Sequence, residues 1–307
     1  MLTLAERRRL RREAPMAYRM RRQERPSLLR AYAWRALQGA ARTFPTLDEV
    51  GLTCLELPLR HLRRDLDGLT VLHVTDLHLT EGDHPAAAIV PLLAGHHWDL
   101  TVYTGDLADD EAGCRALAPL LEALSPREAA FAVLGNHDHY RYRHTTGEGP
   151  CPNDLRPLLR TLEAGRVRVL TNASATLFGG ALCVVGVDDP TLGLDRVDRA
   201  FAGLADDAAM LLLAHSPDVL PRLGNHRPGL LLAGHTHGGQ LRLPGIGPIG
   251  TVSALPRRYA MGTYVYDGVQ TYVSRGVGTS GAPVRFNCPP EVTLITLRAP
   301  GAVHRVA

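Results

Sequence analysis

Leu69-Thr70-Val71-Leu72-His73-Val74-Thr75-Asp76-Leu77-His78 is the stretch whose reading decides the fold. The turn signal Asp67-Gly68 precedes it, and an apolar run rich in β-branched residues then reads as a central strand. The run stops at a carboxylate, with an imidazole two residues on. Alternation along an extended chain sends Asp76 and His78 to the same side. The same punctuation recurs downstream. Residues 99–104 read as a strand ending at Gly105-Asp106, and residues 129–134 as one ending at Gly135-Asn136-His137-Asp138. Residues 210–214 deliver His215, and residues 229–233 deliver Gly234-His235-Thr236-His237-Gly238-Gly239-Gln240. Helices are expected at 85–95, 111–124 and 153–164, with further strands at 53–58, 167–170, 182–187, 263–266, 270–274 and 292–297. The alternation predicts a layered α/β domain whose polar groups gather at one edge of the sheet.

Charge divides the chain in two. All 34 residues counted as Lys or Arg are arginine, and the net charge is +3. Residues 1–42 hold twelve of these arginines against Glu6, Glu13 and Glu24, so the arm carries +9 and the rest of the chain −6. Ser27 caps an expected amphipathic helix with Leu28, Leu29, Tyr32, Ala36, Leu37 and Ala40 on one side and Arg35 and Arg42 opposite. We therefore expect a basic amphipathic arm over residues 1–48 ahead of one domain over residues 49–307, the arm either drawn to an anionic membrane surface or packed on its own domain or disordered. No apolar run reaches 18 residues and no secretory core is present, which predicts a cytoplasmic chain and leaves open a peripheral position on the inner membrane face through the basic segment. The five cysteines are odd in number and lack CxxC spacing, so semi-buried thiols are expected rather than a disulfide framework.

Two divalent cations about 3.5–4 Å apart need carboxylate, imidazole and amide donors, with one carboxylate shared. Asp76, His78, Asp106, Asn136, His215, His235 and His237 supply that set. Other polar residues have plainer readings. His61 and His73 are expected to be structural, His96-His97 to end a helix, and Asp109 and Asp110 to cap one. His139 and His144 belong to a long loop, residues 139–152, as solvated residues or pocket lining. Arg275 and Arg285 either bind a substrate phosphate or donate to main-chain carbonyls.

Taken in order over residues 71–240, Asp-x-His, Gly-Asp, Gly-Asn-His-Asp, a lone His and Gly-His-Thr-His resemble the calcineurin-like metallophosphoesterase superfamily. The form Gly-His-Thr-His-Gly-Gly-Gln is followed by Arg242-Leu243-Pro244, then by Ser274-Arg275-Gly276-Val277-Gly278-Thr279 and Pro283-Val284-Arg285-Phe286. With these, the chain is similar to a bacterial branch of membrane-associated phosphodiesterases that includes enzymes resembling UDP-diacylglucosamine pyrophosphohydrolases. The resemblance spans residues 50–298. It implies a four-layer αββα sandwich and two divalent metals, manganese foremost, with iron, zinc, nickel or cobalt as alternatives. One ion would be held by Asp76, His78, Asp106 and His237, the other by Asp106, Asn136, His215 and His235. His137 would be the catalytic imidazole, with Asp138 orienting or charging its ring. Two cations, two carboxylates and a bridging hydroxide would leave a single positive charge, suited to a phosphodiester monoanion.

The expected reaction is therefore hydrolysis of a lipid- or nucleotide-linked phosphodiester or pyrophosphate. The bridging hydroxide would attack in line while His137 protonates the departing oxygen. The chain departs from the branch in one respect: many members begin with a spanning helix or export signal, and here an arginine-rich arm stands in that place. A nuclease on the same centre is the alternative enzyme, disfavoured by an acidic body that offers nucleic acid no basic stripe. A scaffold that has lost catalysis is the alternative outside enzymes, and it is disfavoured by the complete donor set.

Overall fold

A computed structural model describes residues 49–82, 85–142 and 150–301. The arm over residues 1–48, with its expected helix, and His144 lie outside the described residues. Among the described residues sixteen strands follow in chain order: β1 (Gly51–Pro58), β2 (Thr70–Val74), β3 (Leu100–Thr104), β4 (Ala129–Val133), β5 (Tyr140–Arg141), β6 (Cys151–Pro152), β7 (Val167–Val169), β8 (Ala173–Leu177), β9 (Leu182–Gly186), β10 (Met210–Leu213), β11 (Leu230–Ala233), β12 (Arg242–Leu243), β13 (Gly247–Pro248), β14 (Gly262–Tyr266), β15 (Val269–Val273) and β16 (Glu291–Arg298). They build two six-stranded sheets, ordered β1-β16-β2-β3-β4-β7 and β14-β15-β11-β10-β9-β8, and two small hairpins, β5-β6 and β12-β13.

Strand alternation makes three apolar layers from these two sheets. Val71, Leu100, Val102, Phe131 and Val133 of the first sheet share a buried cluster with Val184, Leu211, Leu213, Leu230 and Leu232 of the second. Their neighbours Leu72, Val74, Tyr103, Ala130 and Ala132 face outward onto Leu117 and Leu121 of the helix Glu111–Ala123 and Leu158 and Leu162 of the helix Arg156–Ala164. The outer face of the second sheet, through Val185, Leu212 and Leu231, packs on Val197, Phe201, Val219 and Leu220. The expected αββα sandwich is the fold.

Local expectations hold with instructive exceptions. Asp110 caps the helix Glu111–Ala123, its side chain accepting from Gly113 N–H at 2.8 Å. The helix expected over 85–95 shrinks to a 3-10 turn and a single α turn, Ile89–Leu92, with Pro91 inside it. The five cysteines form no disulfide; Cys114, Cys183 and Cys288 are buried, whereas Cys54 and Cys151 are exposed rather than semi-buried. Among the described residues no helix is long and apolar enough to cross a membrane.

Candidate dinuclear metal centre

Five strand ends converge on one place. The ends of β2, β3 and β4 carry Asp76 and His78, Asp106, and Asn136; the ends of β10 and β11 carry His215, and His235 with His237. Parallel pairing continues past the strands, with Asp76 N–H donating to Gly105 O at 3.0 Å and His78 N–H to Asp106 O at 2.9 Å. Beyond that point the backbone turns out of the sheet. Asp76, His78, Asp106, His235 and His237 all adopt left-handed conformations, with φ of 52°, 48°, 54°, 69° and 50°. Such strain costs about 1–3 kcal/mol per residue and persists where the surroundings enforce it, commonly at functional sites.

All seven of these residues are buried. The donor atoms of Asp76, His78 and His237 lie within 4.8 Å of one another, as do those of Asp106, His215 and His235, and those of His78, Asp106 and His137. His78 Nε2 is 3.2 Å from His237 Nε2, His215 Nε2 is 3.1 Å from His235 Nδ1, and Asn136 Oδ1 is 3.2 Å from His215 Nε2. Asp106 Oδ2 stands between the sets, 3.6 Å from His78 Nε2 and 3.2 Å from His215 Nε2. Ligands bound at about 2.0–2.1 Å to a common ion sit roughly 3–3.4 Å apart, so these separations are those of coordination polyhedra.

Several further features fit a pair of cations. His215 Nδ1 meets the Thr104 carbonyl at 2.7 Å and His78 Nδ1 meets Asp109 Oδ1 at 3.0 Å, which leaves each Nε2 for a metal. The Nε2 atom of His235 is buried without a hydrogen bond, so its Nδ1 is the nitrogen that faces the cluster. His237 differs: its Nδ1 is 3.2 Å from the Arg285 guanidinium, a contact that sets positive charge against the ring. Four glycines leave the cradle its room. A Cβ on Gly135 would come within 2.3 Å of the Asp106 carboxylate, and one on Gly234 within 2.2 Å of that of Asp76. Additions at Gly105 and Gly276 would press on the His215 ring and on Asp76 Cβ, each at 2.6 Å.

Electrostatics separate the histidines. Burial pushes His78 down, but the Asp109 carboxylate overrides it and raises the group to about 9. Burial and the neighbouring His215 lower His235 to about 3. Burial likewise depresses His237, with His78 and Arg285 adding to the effect. Burial and the Asp106 charge raise Asp138 to about 6 against two main-chain donors, Gly135 and Leu107.

Some expected roles need correction. Asp138 does not orient the His137 ring; its oxygens accept from the N–H groups of Asp106, Leu107 and Gly135 at 2.8–2.9 Å, pinning two ligand-bearing loops together. The carboxylate beside His137 is Asp109, with Oδ1 3.6 Å from Nδ1, and Asp109 therefore bridges His78 and His137 rather than capping a helix. His139 is not a solvated loop residue. It ends the helical turn Asn136–His139 and bonds Asp188 at 2.7 Å. Arg285 is buried and donates to the carbonyls of Gly278, Arg275 and Cys288, as the structural reading expects, whereas Arg275 pairs with the buried carboxylate of Glu291. His73 is structural, buried with Nε2 2.8 Å from Thr104 Oγ1.

Asp109, Asp188, Thr104 and Ser280 went unread as site residues. Ser280 Oγ lies 3.2 Å from His137 Nε2, and Tyr142 stacks beside the same ring at 4.5 Å between centroids. Asp109 follows Asp106 by three residues, and the bridge between Leu79 and Ala108 carries it to His78. That proximity was the available signal.

The model of the calcineurin-like phosphoesterase family matches residues 69–239. An uncharacterized metallophosphoesterase of Bacillus subtilis (strain 168), YkuE, is 30% identical over 241 residues, which is 76% of this chain and 80% of that protein. Phosphodiesterase YaeI of Escherichia coli (strain K12) is 31% identical over 207 residues, 65% of this chain and 70% of its own length. A Danio rerio protein described as a transmembrane protein with metallophosphoesterase domain is 29% identical over 263 residues, 80% of this chain but 56% of that protein. With the family model matching more than half its length over the very segments that carry the clustered donors, the chain belongs to the calcineurin-like phosphoesterase family.

Proposed function

We propose that the chain is a dinuclear-metal-dependent phosphodiesterase or pyrophosphohydrolase acting on a lipid- or nucleotide-linked substrate. The observation that carries the dinuclear reading is the position of Asp106, whose one carboxylate oxygen faces both His78 and His215. Asp76, His78, Asp106 and His237 would hold one ion, and Asp106, Asn136, His215 and His235 the other; manganese is our first choice, with iron, zinc, nickel or cobalt as alternatives. When bound, such ions supply Lewis acidity and a hydroxide at near-neutral pH. Asp76 and Asp106 offset only part of their charge, so the pocket would favour an anionic phosphodiester or pyrophosphate group.

The chain's own contribution centres on His137. Its main-chain N–H donates to Asp106 Oδ1 at 2.7 Å, fixing the residue beside the shared carboxylate. Asp109 holds the Nδ1 side, leaving Nε2 on the side of Ser280 to protonate the departing oxygen. Asp138 keeps the Asp106 and Asn136 loops in register through its three main-chain partners. The lipid-linked choice draws on the arginine-rich residues 1–42 and on likeness to the membrane-associated branch.

A matched panel tests the reading. Manganese-loaded protein is offered a nucleoside-diphosphate lipid, an aryl phosphodiester, an aryl phosphomonoester, cyclic nucleotides and oligonucleotides. Turnover greatest on the diester or pyrophosphate arms is expected. Preference for the monoester would overturn the assignment, and preference for oligonucleotides would transfer it to a nuclease.

A further inference from the structure

Of the seven large apolar side chains exposed among the described residues, four fall within ten residues of one another: Leu243, Ile246, Ile249 and Val252, exposed by 40%, 72%, 50% and 50%. Scattered exposed aliphatics need no explanation, but a cluster does. These four stand on and just after the β12-β13 hairpin, in which Arg242 pairs with Pro248 and Leu243 with Gly247, so that Pro244-Gly245-Ile246 forms the tip. The hairpin is held firmly. Ile249 N–H donates to Leu241 O at 3.0 Å, Arg242 N–H to Phe286 O at 3.0 Å, and Gly239 sits so close to Pro248 that a Cβ would approach it to 2.4 Å. Gly239 closes the turn that begins at His237, so the apolar tip is built directly onto the donor cluster.

Charge says what the tip suits. From Gly238 to Met261 the chain has no aspartate or glutamate, and its only charged residues are Arg242, Arg257 and Arg258, although residues 43–307 together carry −6. Arg257 and Arg258 are exposed, and Arg258 stacks over Tyr259 at 4.6 Å. An aliphatic tip with an arginine and tyrosine flank matches the layering of a bilayer surface, with acyl chains beneath and anionic headgroups above. The apolar residues sit on and just after a two-residue-per-strand hairpin, interspersed with glycines at 245, 247 and 250, which offers few side chains for an extended protein interface.

We propose that the 241–258 segment docks on an anionic lipid surface, with Ile246 and Ile249 entering the headgroup boundary and Arg257 and Arg258 meeting the headgroups, which holds the donor cluster beside the membrane. The contact does not depend on the reaction assigned above. Its test reads lipid contact without turnover.

Full-length protein carrying Trp34→Phe and Ile246→Trp is mixed with vesicles of phosphatidylcholine and phosphatidylglycerol with brominated acyl chains. The remaining native indole, Trp98, is buried. Insertion predicts roughly twofold quenching of the indole introduced at the tip, lost on pure phosphatidylcholine and reduced by adding Arg257→Gln with Arg258→Gln. Leu159→Trp, on the outer helix of the opposite layer, is expected to stay unquenched. Vesicle binding with an unquenched tip, equal quenching at both positions, or no vesicle binding would each overturn the proposal. So would a dimer in solution that already shields position 246, which would assign the hairpin to a second copy of the chain.

Discussion

The first sheet brings Asp76, His78, Asp106 and Asn136 to the centre, so every carboxylate and the amide oxygen of the donor set come from β2, β3 and β4. The second sheet brings His215, His235 and His237 from β10 and β11, all nitrogen donors. The first half thus supplies both carboxylates, the amide and one imidazole, His78, whereas the second supplies the other three imidazoles. The histidines follow their nearest charges and not the sheets: against burial, Asp109 raises His78 to about 9 and Asp106 raises His215 well above the usual range, while burial and neighbouring imidazoles take His235 down to about 3. On the proposed assignment, loss of Asp106 should damage both ions at once, and loss of any other donor, from either sheet, should damage one.

The widest test sets Asp106→Asn against His235→Ala. Removing the shared charge is expected to abolish turnover and both high-affinity metal sites, while His235→Ala retains one ion. Equal metal content in the two variants, measured after dialysis, would erase the distinction between the shared and the unshared donors. Next in size, His137→Gln is expected to keep its metals and lose about 10²–10⁴-fold in turnover, as for loss of a general acid. The loss should shrink for substrates with strongly acidic leaving groups, which need no proton. A uniform loss across leaving groups would remove His137 from that role. Asp109→Asn weakens the support behind His78 and His137 together, and a fall of about 10–100-fold in metal affinity or activity is expected. A variant indistinguishable from wild type in both would return Asp109 to the surface.

What could be read in advance follows from the range of the forces involved. The strand at 70–74 and its abrupt polar end are local features, and Asp76, His78 and Asp106 were legible from them. The insertion of β16 between β1 and β2, parallel to one and antiparallel to the other, rests on pairing across more than two hundred residues and left no local trace. β8 was missed because the alternation in Ala-Ser-Ala-Thr-Leu is carried by small alanines and spans only five residues; its place depends on antiparallel pairing with β9. Asp109 and Asp110 are adjacent and alike in sequence. One caps a helix while the other braces two imidazoles, because the bridge between Leu79 and Ala108 turns only Asp109 toward His78.

At His73, between the sheets' donor edge and the core, the predicted effect is on stability and not on turnover. Burial lowers this group to about 3, against the Glu291 charge, so it is neutral in the folded chain. Below about pH 6.5 the unfolded chain binds a proton that the folded chain refuses, so this contribution is complete above that pH. It is lost as pH falls toward 3, by about 1.4 kcal/mol per unit. Denaturant titrations of wild type and His73→Asn between pH 6.5 and 4.5 should differ in slope by one proton; parallel slopes would remove His73 as the cause.

The central claim is that seven side chains from two sheets hold two ions through one carboxylate. Equilibrium dialysis of the full-length protein against manganese, read by metal analysis and by electron paramagnetic resonance, tests it most directly. Two ions per chain with an exchange-coupled spectrum that disappears in Asp106→Asn is the predicted result. One ion per chain, or two with independent spectra, would contradict the account.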